Sequence, residues 1–170
     1  MKTPFTSWRP LLRAFYAFLI ASAVLWVVPR TARAQLYVAS RPSPSAGGLV
    51  GEYQAFTGAV VNAQFITGLP FPNFLMVAGN TLFVADDINN TVGKYDATTG
   101  AVINATFITG LDEPIGLAVK GDTLFVANFG GNTVGAYMAT TGTTINASFI
   151  TGLNPPTGIL VRRSRAIHGQ

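Results

Sequence analysis

The chain has 170 residues, 11 basic and 7 acidic side chains, one histidine and no cysteine. These counts exclude disulfides, thiolate nucleophiles, Cys-ligated zinc and any His-based dyad, triad or multi-His metal site built from this chain alone. The formal charge of +4 belongs to the ends: between Gln35 and Val161 only Arg41, Lys94 and Lys120 face all seven acids, a net charge of −4. A net-acidic body repels phosphate, so no nucleic-acid partner is expected.

The first 34 residues read as a secretory leader. Lys2, Arg9 and Arg13 precede an unbroken apolar run over residues 14–28, Pro29 ends it, and Ala32-Arg33-Ala34 places small residues at −3 and −1 before Gln35. At ~1.5 Å per residue this run reaches only about 22 Å, short of a ~30 Å hydrocarbon core. Cleavage is expected after Ala34, giving an extracytoplasmic protein (secreted, periplasmic or cell-surface) that meets the membrane only transiently, through its leader.

The remainder is a tandem repeat. The string FITGL recurs at residues 65–69, 107–111 and 149–153, spaced by 42 residues, and residues 70–111 align without a gap to 112–153 with 26 identities in 42 positions. An earlier copy, residues 36–69, begins with LYVA in the place of LFVA at 82–85 and 124–127, and carries four extra residues in a Pro- and Gly-rich loop over 40–48. In the third unit four short segments, 116–119, 123–127, 133–138 and 144–150, are rich in Val, Ile, Phe, Tyr and Thr and bounded by turn formers, so each unit reads as four strands. Gly79, Gly121, Gly100, Gly142, Gly110 and Gly152 mark the turns, where glycine admits positive φ. Asn104 and Asn146 fall inside the fourth strand and predict a bulge or kink there.

Four strands in about 40–45 residues, repeated in tandem, is the pattern of a β-propeller blade. The expected fold is all-β, a propeller-type repeat of about three four-stranded blade equivalents in an incomplete ring. Phe83, Phe125, Tyr95, Tyr137, Phe107 and Phe149 recur at fixed phase and are expected to fill the layers between blades. The segments PIGLAV (114–119), TLFVAN (123–128), NTVGAY (132–137) and TTG (140–142) resemble the NHL/YVTN-type propeller repeats of secreted bacterial proteins. They are most similar to those of exported proteins with a PEP-CTERM sorting tail. That tail is not matched: residues 162–170 break the repeat with Arg162, Arg163 and Arg165 but carry no Pro-Glu-Pro motif or apolar span.

Units 36–69, 70–111 and 112–153, with a last strand expected at 157–161, make twelve strands or three blades, below the typical 4–8 blades. Three arrangements compete: a fragment of a longer repeat protein, which the abrupt tail favours; half of a six-bladed ring completed by a second copy; or an open stack with exposed edges. The leftover first and last strands also invite mutual pairing.

Candidate sites are few. Asp86, Asp87 and Asn89 form the densest acidic loop and offer oxygen ligands for Ca²⁺. The next unit has Asn128-Phe129-Gly130-Gly131-Asn132 there, and the loop lacks EF-hand spacing, so Asx-stabilised turns are the favoured reading. Asp96 opens a turn, and Asp112-Glu113 is a solvated pair on a connection. Asn89, Asn104 and Asn146 head N-glycosylation sequons, of which those at Asn104 and Asn146 recur at one phase as by-products of the repeat. The innermost strands read LMV (75–77), LAV (117–119) and ILV (159–161), without the His or Glu of propeller lyases or lactonases. No catalytic residue, resident metal or cofactor is expected. The leading function is an exported, non-catalytic binding module for a protein, glycan or small ligand; the alternatives are a fragment of a propeller enzyme and a surface or matrix structural protein.

Overall fold

The computed structural model describes residues 34–41 and 47–162. The expected leader, apart from Ala34, lies outside the described residues, as do residues 42–46 of the lengthened loop and the tail beyond Arg162. Eleven strands follow in chain order: β1 (Gln35–Ser40), β2 (Gly48–Gln54), β3 (Val60–Leu69), β4 (Pro72–Ala78), β5 (Thr81–Asp86), β6 (Thr91–Asp96), β7 (Val102–Ile108), β8 (Pro114–Lys120), β9 (Thr123–Asn128), β10 (Thr133–Met138) and β11 (Thr144–Ile150). They pair as antiparallel meanders in three sheets, β1-β2-β3, β4-β5-β6-β7 and β8-β9-β10-β11. The described sheets do not close into a ring.

The period-2 alternation of a strand accounts for how the sheets stack. In β5, Leu82 and Val84 point one way and pack with Val50, Phe65, Ile66 and Leu69 of the first sheet. Phe83 and Ala85 point the other way and pack with Leu117, Leu124 and Val126 of the third. Both faces of β5 are therefore dry, and this strand reads as a continuous apolar run. Burying a side chain of this size contributes on the order of 1.5–3 kcal/mol, so stacking supplies what a lone sheet lacks.

The expected turn glycines behave as the repeat requires: φ is 72° at Gly100, 78° at Gly142, 71° at Gly110 and 70° at Gly152. Gly100 has a second constraint, since a Cβ there would lie 2.2 Å from the carbonyl oxygen of Phe65 in the preceding sheet. Gly142 stands in the same relation to Phe107, at 2.4 Å. The bulge expected in the fourth strand is present in all three sheets, with register shifts in β2–β3, β6–β7 and β10–β11. At each bulge an Asn side chain accepts the N–H two residues on: Asn62 from Gln64, Asn104 from Thr106, Asn146 from Ser148, each at 3.0 Å.

Two expectations are corrected. Residues 157–161 form no strand, because they pair with none of the described strands, the open edge of β1 included; they lie against β8, with Ile159 beside Gly116. Phe149 is not in a core: it is 51% exposed, because no sheet covers the far face of the third. Phe83, Tyr95 and Tyr137 are buried as expected, while Phe107 and Phe125 are half-buried.

Candidate functional site

The acidic loop sits at the β5–β6 turn. Asp86, buried at the end of β5, accepts the N–H of Phe71 at 3.2 Å through Oδ2 and the N–H of Asn89 at 3.0 Å through Oδ1. Both of its oxygens are thus committed to backbone, closing the turn. Asp87 Oδ2 accepts from Asn73 Nδ2 at 3.4 Å, and its buried Oδ1 has no hydrogen-bond partner. Burial, then the neighbouring Asp86 carboxylate, push the Asp87 carboxyl above its ordinary value, against the Ile88 N–H, the Asn73 amide and Arg41. Asn89 presents its backbone, not its side chain, to Asp86. Among the described residues no three His, Asp or Glu side chains converge as a metal set.

The other acids are turn and junction groups. Asp96 Oδ1 accepts the N–H groups of Thr98 and Thr99 and the Thr99 hydroxyl, and Oδ2 accepts Asn80 Nδ2 at 2.8 Å. The bonds from Thr99 lead in holding its carboxyl below the ordinary range. In the third sheet the acid changes sides of the turn: Met138 replaces Asp96, Asp122 replaces Asn80, and Asp122 accepts the Thr140 N–H and hydroxyl, both at 2.9 Å. Asp112 and Glu113 are exposed on the connection into β8, and Arg162 is exposed at the end of the described chain.

Sequence reasoning missed a group at the first junction. Glu52 is buried and accepts from Gln35 Nε2. Tyr37 donates its hydroxyl to Gln35 Oε1 at 2.9 Å and to the carbonyl of Ala97. Burial raises the Glu52 carboxyl, and burial followed by Glu52 and Asp96 raises the Tyr37 phenol. The signal was available in comparing units: Glu52, Lys94 and Ala136 share one phase of the repeat. Lys94 Nζ donates to the carbonyls of Ala139 (3.2 Å) and Thr140 (3.0 Å) and lies 4.6 Å from the Phe107 ring centroid. A cleft of about 290 Å³ opens beside Tyr37, lined also by Gln35, Val77, Asn80, Ala97 and Thr98.

The innermost strands carry no ionisable side chain at 75–77 or 117–119, and neither does the equivalent segment 159–161. No family model and no curated protein matches the chain. Solved structures do. Hydrazine synthase of Kuenenia stuttgartiensis aligns at 25% identity over 61% of this chain and 30% of its own, with a TM-score of 0.50. Glutaminyl cyclase of Myxococcus xanthus aligns at 15% identity over 75% of this chain and 59% of its own, with a TM-score of 0.54. Regucalcin of Agrobacterium tumefaciens, a calcium-binding protein, aligns at 20% identity over 74% of this chain and 45% of its own, with a TM-score of 0.50. The chain thus spans between 30% and 59% of the length of these neighbours. All three are β-propellers, and the all-β architecture of stacked three- and four-stranded meanders is that of a propeller-type repeat protein.

Proposed function

We propose that the chain is an exported, non-catalytic binding module built of propeller blades. The observation that carries this reading is the employment of its acids. Asp86, Asp96 and Asp122 are tied to backbone and turn groups, Glu52 is bonded to Gln35, and the inner strands are apolar. Among the described residues these four acids are thus held in structural bonds and not paired with a base over a common reacting atom. What the module offers instead is a repeated exposed rim, the outer strands β3, β7 and β11, where the Asn bulges sit beside exposed Val60, Val61, Val102, Ile103 and Ile145.

A second reading, part of a propeller enzyme, draws on the two neighbours whose names are those of enzymes, a synthase and a cyclase. Glycan-array binding by the purified chain, lost when the exposed Asn104 and Asn146 are replaced by Ala, supports the module. Turnover of lactone or uronate substrates, or cyclisation of N-terminal glutamine, sinks it. Mass spectrometry of the exported product is expected to find Gln35 at the N-terminus; an intact Met1 overturns the export reading.

A further inference from the structure

The two open faces of the stack are each other's complement. At both internal junctions the strand-5 phase of the repeat is dry: Leu82 and Val84 are buried against the first sheet, Leu124 and Val126 against the second. The same phase in the first sheet is Leu36 and Val38, and these are 48% and 40% exposed. On the other side of each junction, Phe65 and Ile66 are buried and Ile108 is buried beside Phe107. Their counterparts in the third sheet, Phe149 and Ile150, are 51% and 43% exposed. Each sheet carries the same aromatic pair on this face, Tyr37–Phe65, Phe83–Phe107 and Phe125–Phe149, with ring centroids 5.4–5.7 Å apart. Only the last is uncovered.

The strand inventory is complementary as well. Among the described residues the first sheet has three strands and lacks the inner one, leaving β1 as an edge beside the cleft at Tyr37 and Val77. Residues 157–161 have the phase of that missing strand and are unpaired, with Leu160 90% exposed. Leu160 is the counterpart of Met76, which packs into the junction between the second and third sheets.

From this we infer that a second copy of the chain docks head to tail, twice, closing a ring of two chains. The face of Phe149 and Ile150 covers Leu36 and Val38 of the other copy. Residues 159–161 add to its β1 in the register of β8 on β9, Ile159 opposite Val38, Leu160 opposite Tyr37 and Val161 opposite Leu36. Leu160 fills the cleft. Two copies supply six sheets, inside the usual 4–8, and a heterologous contact used twice closes without leaving an apolar face or a bare strand edge. One internal feature is missing from this new junction. Tyr37 and Lys94 donate to the equivalent carbonyls of Ala97 and Ala139, whereas Phe125 and Ala136 hold no donor for the third carbonyl in the series, Ala55 of the other copy. The contact between copies is therefore weaker than the junctions within one.

The test is sedimentation velocity on the full chain expressed with its own N-terminus, its monomer mass fixed by mass spectrometry. Wild type is expected at twice that mass. Gly58 has open space around it, but its counterparts Gly100 and Gly142 touch the carbonyls of Phe65 and Phe107, so Gly58→Ala is expected to collide with Phe149 of the other copy and give monomer. Gly68→Ala carries the same left-handed penalty (φ 75° against 68°) at a phase that touches nothing in any sheet, and is expected to stay dimeric. Leu36→Asp and Phe149→Asp, both at exposed positions, are each expected to give monomer, and their mixture to recover a two-chain species through the one intact junction. Ala136→Lys restores the missing donor at both junctions of the ring and is expected to tighten the dimer about a hundredfold, roughly tenfold for each of the two added charge-assisted bonds. A monomeric wild type, which is the outcome if the open faces wait for further blades of a longer chain or if the chain closes on itself, overturns the proposal. So does open-ended polymerisation, or a dimer indifferent to Leu36→Asp. Glycan binding by a monomer would leave the binding reading standing while this one fails.

Discussion

Asn90 Oδ1 accepts the backbone N–H of Glu113 at 2.8 Å, joining the turn after β5 to the chain entering β8. Asn90 holds this position with φ at 56°, in the left-handed region that Asn tolerates better than other non-glycine residues. Its repeat counterpart Asn132 has the same backbone, φ 53°, but the residue that would donate to it is Pro155, which has no N–H.

Asn90→Ala and Asn132→Ala therefore separate two effects. Both lose the left-handed preference, roughly 1 kcal/mol, and only Asn90→Ala loses the inter-sheet hydrogen bond, about another 1 kcal/mol. Urea unfolding should give the larger loss at Asn90. Equal losses would mean that the bond across the junction contributes nothing.

The V-G-x-Y motif of each unit has a steric origin. The Tyr95 ring lies over Gly93 and the Tyr137 ring over Gly135, so that a Cβ at either glycine would meet ring carbon at 2.6 Å. Gly135→Ala is expected to lower stability by about 1–3 kcal/mol through overpacking. In a double-mutant cycle with Tyr137→Leu most of that cost should disappear, read as a coupling energy from chemical denaturation.

Acid–base titration of stability has two opposed contributions. Asp96 is held below the ordinary carboxylate range by the bonds it accepts, so its contribution is present above the unfolded-state pKa and is lost as pH falls through the folded value. Glu52 and Asp87 are raised by burial, so theirs is full below the unfolded-state pKa and lost as pH rises through the folded value. Melting curves taken from the acid side to neutral pH should show Asp96→Asn flattening the acid limb. Glu52→Gln should raise stability at neutral pH, with the gain vanishing in acid.

Hydrogen exchange should grade the strands by how many of their faces are covered. The amides of Phe83 and Val84 in β5, buried on both sides, are expected to exchange last, and those of Ile145 and Ala147 in β11 first. Uniform protection across the three sheets would contradict the stacking described.

The repeat made the strands, the turns and the Asn bulges legible, because those depend on residues close in sequence: glycine for positive φ, β-branched runs for the ladder, Asn for the local N–H bond. Burial was less legible, since it depends on which neighbour a sheet has. Phe107 and Phe149 occupy one phase and differ in exposure for that reason alone. Residues 157–161 have strand composition and no partner strand. At Asp86 the acidic loop closes through bonds to the Phe71 and Asn89 N–H groups, the second of them local in sequence. The buried Glu52 and the two donors Tyr37 and Lys94 were not anticipated, because side chains of different phase and length reach the same repeated carbonyl, and periodicity gives no warning of a substitution of that kind.

The bond that Tyr37 makes to Ala97 and Lys94 makes to Ala139 separates the acceptor from its donors. The acceptor is main chain, present whatever side chain occupies Ala97 or Ala139, so a copying error that adds or deletes one whole unit brings its own acceptor with it. Only the donor has to be rediscovered, and two unrelated side chains have already met that need. Genes encoding such sheets can change length in steps of a unit, then adjust each new seam by a single substitution.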